Sequence, residues 1–183
     1  KISGNGVAST LTYTGHYRSL LNDLIAWDNN NGHGLGAGYL GFAAGLEIEA
    51  LSADPSNLNG ALLGFRSPLL DGKALAVPVT NFQTIVSANP VNGSATFGAP
   101  ILMDLGGRSL RSMDCNQNGC LMIGGPVGNV TDFRLYTWTG NPADLPELRA
   151  ADLTAQTNNS SFEGIADLPA APFTGSAGDT MTV

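Results

Sequence analysis

Five charged residues, three of them at recurring places in the chain, are those that any chemistry it performs has to draw on. Glu47 and Glu49 alternate with Leu46, Ile48 and Ala50, so in a strand both carboxylates project from one face. Arg66 ends the string Gly64-Phe65-Arg66, just before Ser67-Pro68. Arg111 and Glu163 stand where Glu49 stands, one and two units further along. Charge on an inner strand must be paired or hydrated, so one reading is a ring of Glu–Arg–Glu pairs that fixes how neighbouring sheets sit. The other is a polar mouth that binds a ligand. Arginine grips carboxylate or phosphate in bidentate fashion, and clustered carboxylates hold calcium. The calcium candidates are Glu47, Glu49, Asp104 and Asp114, together with Glu163.

Other chemistries lack their residues. His16 and His33 are the two histidines and have no ligand spacing, which argues against zinc. The sequence has no Gly-X-Ser-X-Gly elbow, phosphate-binding loop or dinucleotide fingerprint. Gly106-Gly107-Arg108 reads either as an anion-binding nest or as a plain turn. Cys115 and Cys120 flank Asn116-Gln117-Asn118-Gly119. Asn-Gly favours a tight type I′ hairpin, whose arms bring two cysteines to disulfide distance. Reduced thiols in a cytosolic protein are the alternative.

The elements that must position these groups are strands. The 183 residues include 24 glycines, and 13% are charged, a composition of a turn-dense, all-β domain rather than a helical one. The formal net charge of −7 disfavours nucleic acid and anionic membranes as partners. No apolar run approaches the ~18 residues of a membrane span. Arg18 to Trp27 is the one helix expected, because Leu20, Leu21, Leu24 and Ile25 share a face. Asp28 to Gly38 reads as an Asn/Gly loop. The chain starts at Lys1 and ends in a strand-like stretch, so a processed, truncated or internal fragment is expected.

From Gly45 the text repeats. The string Asn-Gly-(Ala/Cys)-Leu-(Leu/Met) occurs at Asn59 to Leu63 and again at Asn118 to Met122. Each unit reads as four strands, with the Asn-Gly pair as the first turn. Glu49, Arg111 and Glu163 lie 62 and 52 residues apart. Four-stranded units at periods of ~40–50 residues are the mark of a β-propeller, and the excess fits in loops. The expected organisation is 1–44, the end of a preceding blade with a short helix and a Gly/Asn loop, then antiparallel blades at 45–105, 106–153 and, in part, 154–183. Closed propellers have about 4–8 blades, so a second copy or a missing segment is expected to complete the ring.

The run from Gly45 to Leu168 resembles an uncharacterised bacterial family, domain-of-unknown-function family 3616. The strings that carry the resemblance are Gly45 to Ser52, Leu62 to Pro68, Ala74 to Val77, Asp104 to Gly107 with Leu110 to Ser112, Gly125-Pro126 with Phe133 to Trp138, and Glu163 to Ala166. This chain departs from the family pattern with Glu47 for Asp, Ala50 for Gly and Ser112 for Asp. The last removes a carboxylate. The resemblance implies a longer, propeller-like fold and carries no activity or catalytic residues.

The expectation is a secreted or periplasmic binding or interaction module, with any ligand met by Glu47, Glu49, Arg66, Arg111 and Glu163. Two alternatives stand beside it. One is a calcium-assisted hydrolase of phosphate or other esters, supported by fold analogy alone. The other is a structural half-propeller.

Overall fold

The computed structural model describes residues 2–3, 6–13, 16–35, 46–87, 93–128, 131–153, 162, 164, 165 and 168. A two-residue pair, β1 (Ile2–Ser3) and β2 (Thr10–Leu11), precedes helix α1 (Leu20–Asn31). The first sheet contains β3 (Glu47–Asp54), β4 (Asn57–Leu70), β5 (Lys73–Val79) and β6 (Ile101–Met103), with a short helix α2 (Phe82–Ser87) between β5 and β6. The second contains β7 (Ser109–Asn116), β8 (Gly119–Gly125), β9 (Arg134–Trp138) and β10 (Glu147–Asp152). Both are antiparallel meanders in which each strand pairs with the next along the chain. The chain is all-β with few helices.

Alternation along the strands sorts the apolar side chains into three layers. Between the sheets, Ala50, Leu62, Ala74, Ala76, Ile101 and Met103 meet Leu110, Met113, Met122, Tyr136 and Trp138. On the far side of the first sheet, Leu63, Phe65, Leu75, Val77 and Val79 pack under Leu24 and Trp27 of α1 and Ile85 of α2. On the far side of the second, Leu121, Ile123, Phe133 and Leu135 are covered by Leu153, Phe162, Ile165 and Leu168. The sheets approach closely because Gly64 lies where they meet. A Cβ there would come within 2.7 Å of Ala50 Cβ and 3.1 Å of Leu110 Cδ1.

Several local expectations are corrected. Helix α1 starts later than Arg18 and runs on through Asn31, into the segment read as loop. Its end is stabilised by Gly32 in the left-handed region at φ +67° and by buried Asp28, whose Oδ1 accepts the Leu35 N–H at 3.0 Å. Those contacts offset the poor helix propensity of Asp and Asn. The first turn of the first sheet is Pro55-Ser56, so Asn59-Gly60 lies inside β4. The turn of the second sheet centres on Gln117-Asn118 rather than Asn118-Gly119. Asn116 Oδ1 accepts the Asn118 N–H at 2.8 Å, an Asx turn that needs no positive φ at its centre. Gly119 instead opens β8 at φ +129°, where a Cβ would strike Trp138 O at 2.7 Å. Cys115 and Cys120 are register partners there, with Cα atoms 4.0 Å apart, and are joined as a disulfide. Among the described residues no helix is long and apolar enough to cross a membrane.

Candidate functional site

Three strand irregularities place the charged residues. On β3, Ile48 faces Phe65 and Ala50 faces Gly64, which makes Glu49 an extra residue. On β4, Glu47 faces Ser67 while Ile48 faces Phe65, which leaves Arg66 extra. On β7, Leu110 faces Gly124 and Ser112 faces Ile123, so Arg111 is extra. A bulge re-aims the side chain of its unpaired residue. Glu49 and Arg111 therefore occupy the same irregular position in the first strand of each sheet.

The two side chains meet. Glu49 Oε2 lies 2.6 Å from Arg111 Nε, and Glu49 Oε1 accepts a hydrogen bond from Arg66 Nη1 at 3.1 Å. The contact to Arg111 is an ion pair without the alignment of a hydrogen bond. Arg66 Nε donates to the Val127 carbonyl at 3.0 Å and lies 3.5 Å from Glu47 Oε2. Arg111 Nη1 donates to the Pro126 carbonyl at 3.0 Å, and its guanidinium carbon sits 5.6 Å from the centre of the Phe133 ring, a cation–π distance. The side chain of Arg111 is 5% exposed and that of Glu49 20%. Gly125 leaves room for the arrangement, because a Cβ on it would lie 2.6 Å from Arg111 Cγ and 2.7 Å from Phe133 Cε1. Two carboxylates and two guanidiniums balance in charge and lock β3, β4 and β7 to the segment after β8.

Glu47, Glu49, Arg66 and Arg111 are thus brought together. Glu163 lies outside the described residues. Asp104 and Asp114 are engaged locally: Asp104 Oδ1 accepts the Gly106 N–H at 2.9 Å, and Asp114 Oδ1 accepts the Cys115 N–H at 2.9 Å. The Gly106 N–H that a nest would offer an anion therefore already carries a carboxylate. Among the described residues, no three His, Cys, Asp or Glu side chains gather as a metal-ligating group. His16 contacts Tyr13, and the His33 ring lies tilted against Trp27 with ring centroids 4.4 Å apart.

Two features go beyond the sequence reading. Arg108 pairs with Asp132 at 2.7 Å, donates to Tyr136 Oη at 3.2 Å and donates to the Leu105 carbonyl at 3.0 Å. Burial pulls its pKa down, but the Asp132 hydrogen bond and the charges of Tyr136 and Asp132 outweigh that and hold it above the ordinary arginine value. Its only sequence signal was the Gly-Gly before it. The second feature is a groove of about 210 Å³ framed by Asn118, Thr137, Trp138, Thr139, Leu145, Glu147 and Arg149. It lies at the hairpin end of β8, opposite the charged cluster. Its arginine is satisfied from within, by Thr137 Oγ1 at 2.7 Å and Glu147 at 2.9 Å.

No family model, curated protein or solved structure matches the chain.

Proposed function

We propose that the chain is an interaction module of the β-propeller type, in which successive four-stranded sheets stack through their first strands. The charged cluster acts as the clasp between sheets. The observation that carries this reading is the ion pair between Glu49 and Arg111, the extra residues of equivalent bulges in β3 and β7. A repeated irregularity whose two copies bind one another is what a stacked repeat uses to fix its register, and a buried pair of this kind specifies geometry more than it adds stability. The resemblance of strings such as Gly45 to Ser52 and Leu62 to Pro68 to domain-of-unknown-function family 3616 favours the same architecture. The Cys115–Cys120 bridge favours an oxidising, secreted or periplasmic setting.

The clasp reading differs from the ligand-mouth and calcium-hydrolase readings in one measurable way. Each described charge of the cluster is already held by an opposite charge or a carbonyl. Thermal unfolding of the purified chain with EDTA, Ca²⁺, inorganic phosphate and p-nitrophenyl phosphate is expected to show no shift. A ligand at 100 times its dissociation constant would add about 2.7 kcal/mol. A Ca²⁺- or phosphate-dependent rise that disappears in Glu49→Gln or Arg66→Ala would replace the clasp by a ligand site.

A further inference from the structure

The equivalence of β3 and β7 extends beyond the bulge. In β7, Leu110 stands one residue before Arg111 and Met113 two after it, and both are buried against the first sheet. In β3, Ile48 and Leu51 hold the same places relative to Glu49. They pair with Phe65 and Leu63, so they project from the outer face of their sheet as Leu110 and Met113 project towards the first sheet. Downstream, Phe162 and Ile165 keep the same spacing and pack on the outer face of the second sheet. Two of the three pairs are therefore seated on a preceding sheet. The first pair is not, with Ile48 40% and Leu51 54% exposed. Helices α1 and α2 cover the outer face over β4 and β5 but leave this strip beside them open.

We infer that the Ile48–Leu51 strip is the seat of a second copy of this chain, docked head to tail through its C-terminal end. This rests on the stacked-sheet reading above. The contact continues an interface the chain already makes twice internally, and in two copies it closes by two-fold symmetry, so that each pair uses it twice. The face of the first sheet that meets the second receives Leu110 and Met113, and the far face of the second receives Phe162 and Ile165, so both are filled from within the chain. That leaves the end of a partner copy, rather than one of its described sheets, to cover the strip.

Sedimentation velocity on the intact chain over a dilution series tests this. The expected result is a dimer whose dissociation constant rises at least tenfold in Leu51→Glu and in the uncharged variant Ile48→Ser. Leu145→Glu, which adds the same charge at an exposed leucine elsewhere, is expected to leave the dimer unchanged. Because Leu51 is already half exposed, melting temperature confirms that its variant folds. A monomer throughout the series overturns the inference, as does a dimer indifferent to Leu51→Glu or equally weakened by Leu145→Glu. A monomer that retains strong Glu49–Arg111 coupling would reject the second copy alone. Absent coupling would reject the stacked-sheet reading whatever the mass.

Discussion

The Glu49–Arg111 pair yields to a double-mutant cycle. At an effective dielectric near 20, opposite charges about 4 Å apart attract by about 4 kcal/mol, and desolvation removes much of that. Arg111 is nearly enclosed and Glu49 keeps some water, so a coupling of about 1.5–2 kcal/mol is expected, within the range for contacting residues. Arg111→Ala also loses the Pro126 carbonyl and the Phe133 face, which brings its total cost to about 3 kcal/mol. Glu49→Gln leaves a buried guanidinium with less compensation and costs about 2–3 kcal/mol. The double variant is then expected to lose about 4 kcal/mol, less than the singles added together. Urea unfolding followed by the fluorescence of Trp27 and Trp138 reads all four corners. For a chain of this size, Arg111→Ala should also lower Tm by about 6–12 °C. A coupling under about 0.5 kcal/mol would mean that the two residues act independently, and the clasp would be refuted.

The remaining predictions concern what surrounds the clasp. Gly125→Ala forces a Cβ onto Arg111 and Phe133 and is expected to cost about 1–3 kcal/mol by overpacking, read as a lower urea midpoint. Cys120→Ser opens a short loop whose closure contributes about 2 kcal/mol, so reduction of the wild type should lower its Tm by about as much as the substitution does and leave the variant's Tm unchanged. Leu24→Ala empties the contact between α1 and the first sheet and should cost about 2–5 kcal/mol, measured by the same unfolding assay.

The strand content of both sheets was legible because buried strands bounded by turn residues leave continuous apolar runs, as at Ala74 to Val79 and Phe133 to Trp138. The likeness of Glu49 and Arg111 was legible too, from their matched neighbours. What the text did not reveal was why they meet. Alternation alone would send Arg66 and Glu49 to places set by a regular ladder, whereas three extra residues break that ladder. A bulge leaves no fixed residue signature unless glycine occupies it. The turns went astray for a related reason. Asn59-Gly60 looks like a hairpin tip, but Pro55-Ser56 takes the turn and Asp54 secures it, its Oδ1 accepting from both the Ser56 N–H and the Ser56 hydroxyl. Helix α1 runs through the Asn-rich stretch that would be expected to end it because that stretch is held by a tertiary contact, Asp28 to Leu35.

The partial cover that α1 and α2 give the first sheet bears on aggregation. A face of stacked β-sheet left wholly open invites end-to-end growth, because each added molecule recreates the surface that recruited it. Here, among the described residues, the helices occupy the part of that face over β4 and β5 and leave Ile48 and Leu51 of β3 exposed. The helices already cover the residues of β4 and β5 that a sheet added flat on this face would pack against. That cover removes much of the apolar face that end-to-end growth would use.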